Sequence, residues 1–175
     1  MSSPVIGGTW RRWIVTLGGS GMSPVAPGTM GSAAATGVLA LVLAGFHAAG
    51  VWPRPMIWNS ILGVGVLIYS VLCVWLGRWA TEYYARKDPG ACVLDEGAGI
   101  CLTALFLPAC PGHQMYWVLA GVLVAFRIFD IVKLPPAKQL ERLPYGWGIL
   151  LDDLAAAVYA NVVCQIVLRW TMGNG

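Results

Sequence analysis

The sequence is short of charge. Only 11% of its 175 residues are Asp, Glu, Lys or Arg, against about a quarter in an ordinary soluble domain. Four stretches hold none of them: 13–53, 55–77, 97–126 and 154–168. With 58% apolar residues and a mean hydropathy of +0.69, this excludes a soluble globule. A membrane span needs about 20 apolar residues, so the chain reads as an all-α, polytopic integral membrane bundle, a single domain over residues 1–175. It also lacks a dense basic run. Its net charge of +3 comes from cations scattered beside the helix ends, which excludes nucleic acid as a partner and fits topology signals and headgroup contacts. The five cysteines are odd in number and lie mostly inside apolar runs. They lack paired metal-ligand spacing, which favours helix packing over disulfides or zinc. None is followed by Arg at C-x5-R spacing, which excludes a cysteine phosphatase. Arg11 and Arg12 precede a Gly-rich segment rather than a clean apolar run, a poor fit to a secretory signal.

What remains is distributed with a pattern. Residues 17–32 hold five Gly and two Pro outside any continuous helix expectation. They predict a Gly/Pro-rich interfacial segment feeding a first span over 32–49, with Thr29 or Ser32 as N-cap. A helix start of this kind exposes backbone N–H groups suited to phosphate, and Ser20, Ser23 and Thr29 are its candidate phosphate-binding hydroxyls. A second span is expected over 56–79, continuing as helix to about Lys87, before Asp88-Pro89-Gly90 breaks it. Residues 97–126, interrupted by Pro108, Pro111 and Gly112, predict a helical hairpin with arms of about 15 residues. At about 1.5 Å per residue such arms fall short of a bilayer core of about 30 Å, so they must extend at their charged ends, past Glu96 and towards Asp130, or the bilayer must thin. The last span starts near Ile149 or Asp152 and ends at Arg169. The expectation is about five membrane helices, the short hairpin included.

Nine of the eleven Lys and Arg fall on one side of this layout, and Arg54 and Arg169 on the other. The positive-inside rule makes the first side cytoplasmic. The chain has eight Asp and Glu, and Asp88, Asp95, Glu96, Asp130, Asp152 and Asp153 all come to that face. His47 and His113 come to the opposite one, which disfavours a histidine-nucleophile phosphatase. Macrodipole capping explains one acid of a pair at a helix start, not two side by side. Several half-buried carboxylates need neutralising cations, and Mg²⁺ is suited to oxygen ligands while keeping waters for a phosphate. Asp95, Glu96, Asp130, Asp152 and Asp153 are therefore the candidate metal ligands and catalytic carboxylates. Arg127 and Lys133, three residues on either side of Asp130, are candidate phosphate-binding cations. A metal facing lipid headgroups points to a phospholipid phosphate monoester. The glycines before Asp152 are expected to let the backbone, and a lipid phosphate, come close to the acids. An ion or proton transporter using clustered carboxylates is the alternative, but its site is expected near the bilayer midplane.

Four ordered blocks then carry a resemblance over nearly the whole length. They are Gly19 to Ser32, Asp88-Pro with Val93-Leu-Asp95-Glu96, Phe126 to Lys133, and Gly146-x-Gly-Ile-Leu-Leu-Asp-Asp153 with Tyr159-Ala160. In this order and spacing the chain resembles the bacterial phosphatidylglycerophosphatase A family. The resemblance implies a Mg²⁺-dependent, multi-pass inner-membrane enzyme with a cytoplasmic active site. It implies hydrolysis of phosphatidylglycerophosphate to phosphatidylglycerol and phosphate in phospholipid biosynthesis, on an α-helical fold. The chain departs from the family pattern at Leu134, at Gly97-Ala98 and at Ala157, positions that alter packing around the site and spare its acids.

Overall fold

The computed structural model describes residues 8–108, 110 and 112–173, and these contain helices and no strand. Seven α-helices are described: α1 (Gly8–Val15), α2 (Pro27–Ala48), α3 (Pro55–Tyr84), α4 (Leu94–Thr103), α5 (Gln114–Val132), α6 (Ala137–Leu140) and α7 (Gly146–Gly173). A 3-10 turn, Ser20–Met22, lies between α1 and α2. The helices α2, α3, α5 and α7 are long and apolar enough to cross a membrane. Their outward faces carry large apolar side chains, such as Leu41, Leu67, Trp117 and Ile166, each more than 60% exposed. In water such a surface would be costly; in hydrocarbon it is the expected one.

The hairpin over 97–126 is strongly asymmetric. Its second arm is the 19-residue α5. Its first arm is only the ten-residue α4, about 15 Å long, and it does not span. It enters from the acidic end of the bundle and stops inside, packed by α2, α3, α5 and α7. Nine of its ten residues are buried. Small residues make this possible. A Cβ on Gly97 would sit 2.8 Å from the Tyr69 ring, and one on Gly99 would strike Phe126. The Gly97-Ala98 departure thus has a packing reason: it fits a crowded buried helix against α3.

A helix ending in low dielectric leaves carbonyls that must be paired internally. Here α7 pairs them. Asn161 Nδ2 donates to Thr103 O at 2.8 Å and to Leu105 O at 2.7 Å. Gln165 Nε2 donates to Phe106 O at 2.8 Å. From α3, Asn59 Oδ1 accepts the Phe106 N–H at 2.7 Å. The chain then turns, and α5 begins where the His113 ring lies 5.6 Å from that of His47. Both histidines are therefore at the end remote from the acids.

The helix boundaries correct three sequence expectations. The first span begins at Pro27, not Ser32. Ala26 occupies the cap position without a side-chain bond, because Pro27 presets the first helical residue, and Thr29 and Ser32 lie inside the first turns. The second span ends at Tyr84, with Ala85 in the left-handed region, rather than reaching Lys87. The last helix begins at Gly146, one turn earlier than expected. Gly146 and Gly77 let α7 and α3 touch backbone to backbone, and a Cβ on Gly148 would collide with Leu143 O. These glycines give the close backbone approach expected of them.

Candidate active site

Four helix ends and one connector converge on a cavity of ≈ 280 Å³. Asp95 and Glu96 come from the first turn of α4. Arg127 and Asp130 come from the last turns of α5, and Lys133 from its left-handed C-cap. Asp152 and Asp153 come from the second turn of α7. Residues 85–93 bring Asp88, Gly90 and Cys92, and the start of α2 brings Gly28. Because α7 begins at Gly146, Asp152 lies six residues into the helix, about 9 Å along its axis. It is not a cap, so helix capping does not explain the Asp152-Asp153 pair.

Six carboxylates line the cavity with two cations, Arg127 and Lys133. Arg127 Nη1 lies 2.6 Å from Asp130 Oδ2 and 3.5 Å from Glu96 Oε1. Ser32 Oγ donates to Glu96 Oε2 at 3.2 Å. Lys133 Nζ donates to Asp152 Oδ2 at 2.9 Å and lies 3.3 Å from Glu141 Oε2. The left-handed turn at Lys133 takes it off the α5 stripe it would otherwise share with Arg127 and Asp130, and aims it across the cavity at α7.

These bonds leave part of the charge uncompensated. Among the described residues, Asp95 Oδ1, Asp152 Oδ1 and Asp153 Oδ2 are buried without a hydrogen-bond partner. The four acids Asp95, Glu96, Asp152 and Asp153 are each at most 8% exposed. Burial, reinforced by the charge of Asp153, pushes the Asp95 carboxyl well above the usual carboxylate range. Burial also pushes Glu96 up to about 8, with Arg127 pulling down and Asp130 pushing up. Orphaned buried polar atoms carry a free-energy cost of about 1–3 kcal/mol each, more when charged. Three orphaned oxygens from two helices, facing one cavity, fit a hard divalent cation, which takes oxygen ligands. Asp95, Asp152 and Asp153 supply the free oxygens, with Glu96 and Asp130 at hand.

The structure does not bring Ser20, Ser23 or Thr29 to this cavity. Ser20 Oγ donates to Thr16 O at 3.0 Å, and Ser23 Oγ donates to Val25 O at 2.9 Å. Thr29 points outward, exposed. The end of α1 and the Gly-rich segment instead hold the connector. Val93 N–H donates to Val15 O at 2.9 Å, and Gly21 packs so closely that a Cβ would strike Ala91 O. Its contribution to the cavity is Gly28, where a Cβ would collide with Glu96 Oε1. Sequence reasoning named Asp88 in the acid cluster but left it out of the ligand set, and it missed Gly28, Ser32 and Cys92. The close spacing of Gly28 and Gly31 along one helix face was the available signal. For Cys92 there was none.

The phosphatidylglycerophosphatase A family model matches residues 13–168. The chain is 35% identical over 160 residues to phosphatidylglycerophosphatase A of Haemophilus influenzae, covering 88% of this chain and 86% of that one. It is 32% identical over 175 residues to phosphatidylglycerophosphatase A of Escherichia coli K12, covering 99% and 89%. This chain belongs to the phosphatidylglycerophosphatase A family. A Bacteroides thetaiotaomicron protein provisionally named phosphatidylinositol-3-phosphatase is 33% identical over 160 residues, covering 89% and 91%. Proteins named for two different lipid headgroups are thus about equally similar to this member of the family. No solved structure matches the chain. The family match spans every residue that lines the cavity.

Proposed function

We propose that this chain hydrolyses phosphatidylglycerophosphate to phosphatidylglycerol and inorganic phosphate, with Mg²⁺, at the cytoplasmic leaflet of the bacterial inner membrane, as a step of phospholipid biosynthesis. The observation that carries the reading is the carboxylate cavity with its three orphaned buried oxygens, brought together from α4 and α7. Family membership supplies the reaction class, and the nine-to-two bias of Lys and Arg supplies the side. The cavity opens beside apolar surface: Ile128, Ile131 and Val132 on α5 are all more than 50% exposed. A lipid lying there keeps its acyl chains in hydrocarbon and its phosphate at the acids.

Asp95, Asp152 and Asp153 would hold the cation, with Glu96 and Asp130 completing the set. When bound, Mg²⁺ supplies Lewis-acid polarisation of a phosphoryl oxygen and a more acidic water. Arg127 and Lys133 exchange part of their carboxylate contacts for phosphate oxygens and fix the headgroup in register. A carboxylate of the cluster not spent on metal takes the proton of the attacking water as general base. The water oxygen bonds to phosphorus, the bond to the glycerol oxygen breaks, and the departing alcohol gains a proton. Burial of the acids restricts bulk water.

The test is phosphate release by the purified protein from phosphatidylglycerophosphate and, in parallel, phosphatidylinositol 3-phosphate, with Mg²⁺ and after chelation. The expected result is Mg²⁺-dependent release, faster from phosphatidylglycerophosphate. Faster release from the inositol lipid would move the substrate assignment to that headgroup, and no release from either lipid with Mg²⁺ would refute the phosphatase reading.

A further inference from the structure

Behind the carboxylate cavity lies a second donor set of different chemistry. Cys73 comes from the middle of α3 and Cys92 from the connector before α4. They lie nineteen positions apart, so no sequence spacing announces the pair. The fold brings Cys73 Sγ, Cys92 Sγ and a carboxylate oxygen of Asp95 within 4.8 Å of one another. All three residues are buried: Cys73 is 0%, Cys92 3% and Asp95 8% exposed. The two sulfurs are free thiols. Asp95 also has an orphaned buried oxygen, so the cluster holds an unspent acceptor as well as two soft donors. Cys92 and Asp95 both line the cavity, so the cluster borders that space, while Cys73 lies behind it.

Two thiolates and one carboxylate around an open position match the preference of zinc, which binds Cys sulfur at about 2.3 Å and carboxylate oxygen at about 2.0–2.2 Å, with four ligands in all. Mg²⁺ has little affinity for sulfur, whereas thiolates select soft and borderline cations. The two sites therefore differ in the ion they take while sharing Asp95. We propose that Cys73, Cys92 and Asp95 form a binding site for a thiophilic divalent cation of the zinc class, and that filling it withdraws Asp95 from the carboxylate site and switches the enzyme off. On binding, both thiols lose their protons to solvent and Asp95 turns towards the sulfurs. The inhibitory half of the proposal rests on Asp95 serving the phosphatase site; the binding half does not.

The test uses the full-length purified protein, reduced, with Mg²⁺ saturating. Co²⁺ is the first probe, because thiolate ligation gives a sulfur-to-cobalt charge-transfer absorption without any substrate present. The wild type should bind one Co²⁺ with this band, and Cys73→Ser and Cys92→Ser should each lose it. Zn²⁺ is the second probe. It should inhibit phosphate release by the wild type, and Cys73→Ser should keep basal activity while needing at least about tenfold more Zn²⁺ for half-inhibition, the least that disturbing a metal site costs. Absence of the band in the wild type, or an undiminished band in either variant, would overturn the site. A Cys73–Cys92 disulfide that survives reductant would overturn it as well. The band with equal Zn²⁺ inhibition in wild type and Cys73→Ser would overturn the switch. The band in a protein that releases no phosphate would leave the soft-metal site standing and refute the phosphatase reading instead.

Discussion

The two ends of α4 lie about 15 Å apart in the same buried helix and are treated in opposite ways. At its C-terminal end, inside the bundle, the free carbonyls of Thr103, Leu105 and Phe106 are met by Asn161 and Gln165 on α7. At its N-terminal end, Asp95 keeps an oxygen with no partner, and Asp152 and Asp153 nearby do the same. A fold able to place two amides at one end was not short of ways to pair carboxylates at the other. The difference separates groups the protein satisfies by itself from groups it holds ready for something else. The first kind serves stability; the second, on the proposed function, serves binding at the expense of stability.

Substitutions at the two ends should therefore separate activity from stability. The largest effect is expected from Asp95→Asn and Asp153→Asn. Each should lower phosphate release by about 10²–10⁴-fold, the range of a lost acid–base or charge contribution. In the metal-free protein each should leave thermal stability equal or higher, because a buried uncompensated charge has been removed. Next comes Asn161→Leu at the other end. Orphaned carbonyls there cost about 1–3 kcal/mol each, so the unfolding midpoint should fall well below wild type, while Mg²⁺ still stabilises the folded fraction. Gly28→Ala is intermediate. Its Cβ strikes the flexible end of Glu96, so the carboxylate swings aside; activity should fall by about 10–100-fold, the scale of an ångström's misplacement, with little change in unfolding. The smallest effect is Ser32→Ala, which removes one hydrogen bond to Glu96 worth about 1 kcal/mol and should cost less than about tenfold in rate. A thermal melt of each variant with and without Mg²⁺, beside a phosphate-release assay, checks all five.

Much of this contrast was legible in the sequence, and the illegible part has physical causes. The uncharged runs marked α2, α3, α5 and α7 because a span has a length requirement. The scarcity of acids marked Asp95, Glu96, Asp130, Asp152 and Asp153, and all five line the cavity. Arg127 and Lys133 were equally visible and also arrive there. The brevity of α4 was not visible, because residues 97–126 are apolar whether they cross the bilayer or stop midway. The signal that it stops lies far off, in Asn161 and Gln165 on α7, and only the fold connects them. That Ser20, Ser23 and Thr29 do not line the cavity was hidden for a related reason: a Gly-rich loop before a helix has the same composition whether it cradles a phosphate or holds a connector. The Cys73–Cys92 approach depends on the path of residues 85–93 and has no counterpart in spacing.

The central claim is that the orphaned carboxylates exist to hold a divalent cation, and the most direct measurement is the unfolding midpoint of the wild type and of Asp153→Asn after chelation and on return of Mg²⁺. A bound ion stabilises by RT ln(1 + [L]/Kd), about 2.7 kcal/mol at a hundredfold excess over Kd. Mg²⁺ is predicted to raise the wild-type midpoint in a saturable way, to leave that of Asp153→Asn nearly unmoved, and to bring the chelated variant out at or above the chelated wild type. A wild-type midpoint indifferent to Mg²⁺, or an Asp153→Asn variant stabilised as much as wild type, would contradict the account.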